Sequence, residues 1–148
     1  MTKKTRILFL VLSVLWTVFI FSNSMATAEQ SSEKSGTIVT FLLNFINIDA
    51  SLLTLIIRKL GHFLEFFVQG IFIGSFFLMS NAYTKNIIYV MFFGLLTGVT
   101  DEFIQLFSPG RSGMIQDVLI DFSGTITAVL VCLIIYLIYK KKYTKSHQ

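Results

Sequence analysis

Cysteine and proline each occur once in this chain, and charge is scarce. The single Cys132 lies inside the apolar run V-L-V-C-L-I-I, which excludes a disulfide framework and a cysteine metal site and leaves helix packing as its role. Only 14% of the residues are charged, against about a quarter in an ordinary soluble domain, while 54% are hydrophobic. Period-two alternation is missing, so a β-barrel is not expected, and no internal repeat is found. No basic stripe is interleaved with exposed aromatics, so the net charge of +4 does not point to nucleic acid as a partner.

What the chain has is long apolar runs and 16 phenylalanines, a usage typical of lipid-facing helices and their interfacial rims. The expected architecture is an all-α integral membrane protein, one domain over residues 1–148. Four transmembrane helices at about 7–25, 60–79, 86–107 and 118–139 form a small bundle, and a basic tail follows at 140–148. The first run, from Ile7 to Phe21, follows Lys3, Lys4 and Arg6. Together with Ala26-Thr27-Ala28 it also fits a cleaved signal peptide, whereas extension to Met25 reaches the roughly 17–25 residues that spanning needs. The small, polar stretch from Ser22 to Gly36 reads as a flexible loop. From Thr37 to Ile57, the polar Asn44, Asn47 and Asp49 leave two short pieces, Ile38 to Ile46 and Ser51 to Ile57, read as an interfacial or re-entrant segment between helices 1 and 2. Arg58-Lys59 lead into the second span, and Ser80 to Lys85 form a turn. The third span carries Gly94 and Gly98 at small-xxx-small spacing, which admits a close neighbour, and Pro109-Gly110 stop it. His147 in the tail reads as solvated.

Lysine and arginine in short loops set membrane orientation. With both termini cytoplasmic, the inside holds Lys3, Lys4, Arg6, Lys85, Lys140, Lys141, Lys142 and Lys145, eight of the twelve basic residues. All eight acidic residues then fall on the other side. The expected location is a bacterial cytoplasmic membrane, with the polar site facing out.

The acids concentrate around T-D-E-F-I-Q-L-F-S-P-G-R-S-G-M-I-Q-D-V-L-I-D, from Thr100 to Asp121. Ionisable groups at membrane depth pair with one another or line a wet cavity. Arg58, His62, Glu65 and Gln69 follow one helical stripe, and so do Asp117, Asp121 and Thr125; Asp101 and Glu102 stand four and three residues before Gln105. In a bundle these stripes converge at one depth. Candidate acid–base residues are His62, Glu65, Asp101 and Glu102, and candidate ligand-binding residues are Arg58, Lys59, Gln105, Arg111, Asp117 and Asp121. Asp101, Glu102 and Asp121 are also candidates to hold a divalent metal, the oxygen-rich set suiting magnesium, calcium or manganese and His62 leaving zinc open. Each residue has a structural alternative as well. Arg58 and Lys59 serve equally as interfacial anchors, Asp117 as an N-cap, Asp121 as a first-turn acid, and His62 with Glu65 as a mutually satisfied pair.

The segments R-K-L-G-H-F-L-E-F-F from Arg58 and T-D-E-F-I-Q-L-F-S-P-G-R-S-G-M-I-Q-D-V-L-I-D-F-S-G from Thr100, preceded by W-T-V-F-I-F-S-N-S from Trp16, resemble the VanZ-like family of small bacterial membrane proteins. The resemblance spans all but the tail and implies that the first helix is retained. Phe66 departs from it, standing where tyrosine is common. The family's namesake implies a link to glycopeptide, chiefly teicoplanin, resistance. Three function classes fit the residues: an envelope protein binding an anionic or amide-rich ligand at the outer leaflet, with a lipid-linked or cell-wall precursor as a candidate; a membrane enzyme acting on a lipid-linked phosphate or cell-wall precursor; and a cation- or proton-coupled transporter. The last is disfavoured by four helices with no broken, repeated pair. The hydrolase pattern G-x-S-x-G is missing.

The charge pattern carries its own test. A cysteine replacing Ser112 should react with an impermeant thiol reagent in intact cells; reaction only after permeabilisation would invert the orientation.

Overall fold

The computed structural model describes residues 2–78 and 83–145, which form five helices: α1 (Lys3–Ser24), α2 (Ala28–Leu43), α3 (Ala50–Leu78), α4 (Tyr83–Gln105) and α5 (Ile115–Lys145). Met79, residues 80–82 of the expected turn, and His147 lie outside the described residues. Four helical stretches are long and apolar enough to cross a membrane: Lys3–Ser24, Ala50–Phe77, Asn86–Gln105 and Ile115–Ile138. The chain is a multi-pass, all-helical membrane protein, and no strand occurs among the described residues.

Helix α1 starts where the Thr2 hydroxyl accepts the Thr5 N–H at 3.3 Å. Its 22 residues cover about 33 Å at about 1.5 Å per residue, matching the hydrocarbon core. Ile7, Leu8, Val11, Leu15 and Val18 remain exposed, as expected of a helix whose solvent is lipid.

The expected loop from Ser22 to Gly36 is instead mostly helix. Thr27 and Gln30 form a reciprocal capping box, Thr27 accepting the Gln30 N–H at 3.2 Å while Gln30 accepts the Thr27 N–H at 3.1 Å. Two otherwise orphaned donors are thereby satisfied, which starts α2 in spite of its serines. The Ala28 N–H donates to the Pro109 carbonyl at 3.1 Å, so the α1–α2 turn is tied to the α4–α5 turn. Gly110 there has φ +74°, a left-handed conformation that suits glycine, and a Cβ at that position would approach Ala28 to 3.1 Å.

The second correction concerns α3. The piece from Ser51 to Ile57 is not a separate interfacial helix but the first turns of a 29-residue helix. Asp49 starts it by accepting from the Ser51 hydroxyl, the Ser51 N–H at 2.9 Å and the Leu52 N–H at 3.0 Å. The Ser51 hydroxyl and then the Leu52 N–H hold the Asp49 carboxyl below its usual pKa. That capping contribution is present above the ordinary carboxylate pKa and is lost as pH falls through the lowered one. Arg58 and Lys59 therefore lie about 12 Å along α3, not at its start. They read as a membrane boundary in the sequence because the Asp117 partner of Lys59, on α5, and the cleft that Arg58 lines are built from residues remote in the chain.

Helix α3 packs against all four other helices. Trp16 Nε1 on α1 donates to the Glu65 carbonyl at 2.8 Å, and Gln69 Nε2 donates to Thr17 on α1 at 2.9 Å and to Thr97 on α4 at 3.2 Å. One end of the bundle is apolar, built on Ile73, Val90 and Val129 with Phe77, Ile87 and Met91 around them. The other end buries Asp101, Glu102, Gln105, Asp117 and Asp121. Small residues allow this packing. Gly94 faces Thr125, whose Cγ2 would lie 2.4 Å from an added Cβ, while a Cβ added at Gly98 would make an ordinary contact with Asp121 at 3.4 Å. Gly124 on α5 lies against the α3 backbone itself.

A methyl group at Gly124 would meet the Phe63 carbonyl oxygen at 2.4 Å, whereas one at Gly36 meets nothing within 4 Å. Gly124→Ala should force α3 and α5 apart and cost about 1–3 kcal/mol, while Gly36→Ala should be neutral or stabilise by about 0.5–1 kcal/mol through helix propensity. Thermal unfolding of both variants in detergent checks the contrast; equal midpoints would show that this contact does not limit the packing.

Candidate functional site

The end of α1, the third and fourth turns of α3, the end of α4 and the start of α5 meet at one end of the bundle. Four of the expected residues converge there: His62, Asp101, Glu102 and Asp121 each offer one ligand atom within 4.8 Å of the others. They come from three helices, so no short motif contains them.

Every carboxylate in the cluster is held by a different set of donors. Asp101 accepts from the Ser24 hydroxyl and, through Oδ2, from Gln105 Nε2 at 2.9 Å. The same amide donates to Glu102 Oε1 at 3.0 Å, so the two hydrogens of one Gln105 amide tie Asp101 and Glu102 together. Glu102 Oε2 accepts the Met114 N–H at 2.7 Å and ties the 106–114 turn to the end of α4. Asp121 Oδ1 lies 3.2 Å from His62 Nδ1, while Asp121 Oδ2 is buried with no hydrogen-bond partner.

The remaining expected residues stand apart from this cluster. Asp117 does not cap α5; it lies in the first turn and pairs with Lys59. Glu65 Oε1 accepts from Asn23 Nδ2 at 2.8 Å, so it pairs with α1 and not with His62. Arg111 pairs with no carboxylate among the described residues. Its Nη1 donates to the Asn23 and Ser24 carbonyls at 3.3 Å each, and its Nη2 to the Ser31 hydroxyl at 3.2 Å. Burial first, then the nearby Arg58 charge, lower the Arg111 pKa, though a guanidinium stays protonated in proteins. Arg58 makes no hydrogen bond or ion pair among the described residues.

The three stripes therefore resolve into a buried acid cluster and a cationic cleft that share His62. The cleft, of about 270 Å³, is lined by Lys34, Arg58, His62, Glu65 and Arg111, with Ile38 and Ile57 as apolar wall. A second cleft on the other side of His62 and Arg58 reaches Lys59 and Asp117. Sequence reasoning missed Ser31 and Lys34 of this site because the 22–36 stretch read as loop. The T-A-E-Q spacing of the Thr27 capping box was the available signal. Lys34 Nζ donates to Asn23 Oδ1 at 3.3 Å, which continues the chain of bonds from Glu65.

These features define a small multi-pass helical membrane protein with a polar site buried at one end. The family model described as VanZ/LLP1 matches residues 9–136, and the chain belongs to that family. No curated protein and no solved structure matches it.

Gln105→Leu keeps the side-chain volume but removes the amide shared by Asp101 and Glu102. It should cost about 1–3 kcal/mol, the penalty for leaving buried acceptors without donors, read as a lower thermal midpoint in detergent. An unchanged midpoint would mean that the amide does not hold the acids.

Proposed function

We propose that this VanZ-like envelope protein binds an anionic, phosphate-bearing headgroup at the outer face of the membrane. The observation that carries the reading is the set Lys34, Arg58 and Arg111: three cations on one cleft, none of them paired with a carboxylate among the described residues. Arginine's planar fork suits phosphate and carboxylate oxygens. The cleft volume is near the lower end of the roughly 300–1,000 Å³ range of small-molecule sites, which suits a headgroup whose tail stays in lipid. The lysine distribution supports an outward-facing site, and the family's link to glycopeptide resistance supports an envelope precursor as the source of the phosphate.

One observation favours a second reading, an enzyme acting on a lipid-linked phosphate. His62 lies on the cleft wall with the buried Asp121 carboxylate behind its ring, the arrangement of an oriented general base.

The test is retention of the purified protein by vesicles containing phosphatidic acid, compared with phosphatidylcholine vesicles and with free inorganic phosphate as competitor. Arg58→Gln and Arg111→Gln should each weaken retention about tenfold, or about 1.4 kcal/mol. Equal retention by both vesicle types would sink the reading. Release of inorganic phosphate during incubation, lost in His62→Asn, would move the assignment to the enzyme. Competition by free phosphate at low concentration would identify a soluble anion as the ligand.

A further inference from the structure

The buried acid cluster has little counter-charge, since Arg111 acts on Asp101 and Glu102 only from a distance. Asp101, Glu102 and Asp121 have at most 5% of their surface exposed, yet among the described residues the only ionisable side chain in hydrogen-bond reach of any of them is His62. The nearby cations are committed elsewhere or face the cleft: Lys59 pairs with Asp117, and Arg111 donates to two carbonyls and a hydroxyl. Donors from Ser24, Gln105 and the Met114 N–H satisfy two of the acids. The third is different. Asp121 is fully buried, and its Oδ2 has no hydrogen-bond partner among the described residues. A bare carboxylate oxygen in a low-dielectric interior is costly unless a proton, a hydrogen-bond donor or a cation occupies the place beside it.

We infer that His62, Asp101, Glu102 and Asp121 form a divalent-cation site of the manganese–magnesium class. Their ligand atoms lie within 4.8 Å of one another, and ligands about 2.1 Å from an octahedral ion are about 3–4.2 Å apart, so the four groups are close enough to converge on one ion by side-chain adjustment. Three oxygens favour a hard cation, and the single imidazole favours manganese over calcium. Ligands from α3, α4 and α5 are held on rigid elements, and the Ser24 and Gln105 bonds orient Asp101 and Glu102 as outer-shell partners do in known sites. His62 lines both clefts, which gives the ion a route in. The inference does not rest on the headgroup reading, whose cations are Lys34, Arg58 and Arg111.

The experiment uses the full chain in detergent, stripped with chelator and titrated with Mn²⁺ alone while free Mn²⁺ is followed by electron paramagnetic resonance. The expected result is one Mn²⁺ per chain and a saturable rise in thermal midpoint. Asp121→Asn and Glu102→Gln should each weaken binding at least tenfold, and Asp49→Asn, on the exposed start of α3, should leave it unchanged. Because removal of a buried acid can unfold the bundle, the wild-type titration decides first, and His62→Gln serves as a further variant. No saturable binding by the wild-type chain, or binding unchanged in the folded cluster variants, overturns the site. Phosphate-vesicle retention is scored separately, so either result stands without the other.

Discussion

A carboxylate moved from water into a helical bundle keeps its charge only if donors or cations replace the water it has lost. Three such groups at one depth impose that condition on most of the surrounding chain. Ser24 ends α1 beside Asp101, Gln105 closes α4 beneath both of its acids, and Met114 turns its N–H back onto Glu102 before α5 begins. The turn containing Pro109 and Gly110 is held in the same region, with Ser108 donating to the Ser24 carbonyl at 2.7 Å. The polar end is thus a set of segment ends fastened to one group of acids.

Such an arrangement needs helices that approach closely, because a side-chain network of this size tolerates little slack. Glycines supply the approach: Gly124 lies against the α3 backbone, and Gly94 lies beneath the branched Thr125 side chain. Lipid offers no hydrophobic drive for helices to associate, so close packing and interhelical hydrogen bonds carry the bundle. The Trp16 bond to the Glu65 carbonyl and the Gln69 bonds to Thr17 and Thr97 perform that role at mid-depth. The polar clefts and the packing of the bundle are coupled here, since α3 carries Arg58, His62 and Glu65 on the same helix that holds the bundle together.

Much of this was legible from residue types and spacing. The four spans follow from hydropathy, and the stripe of Arg58, His62, Glu65 and Gln69 correctly marked the interior face of α3. Asp101, Glu102, Gln105 and Asp121 were legible because acids within apolar runs have few structural reasons to be there. The path from residue 22 to residue 57 was not legible. Serines and asparagines in that stretch favour turns by propensity, yet a capping box begins α2 and Asp49 begins α3, so local side-chain bonds overrode composition.

By itself, the sequence determined the class of protein, the number of apolar spans, and the identity of the acids and bases that would share one end. These follow from transfer free energies and helical periodicity, which are local properties of the chain. Only the tertiary structure decided the partners: Lys59 with Asp117, Glu65 with Asn23, Arg111 with backbone carbonyls, and His62 with Asp121. It also decided that acids and cations separate into a cluster and a cleft, and that one oxygen of Asp121 has no hydrogen-bond partner among the described residues. Periodicity assigns a residue to a helix face, but which groups meet depends on how far each helix slides and turns against its neighbours. That geometry is set by the close contacts at Gly94 and Gly124, between residues far apart in the chain.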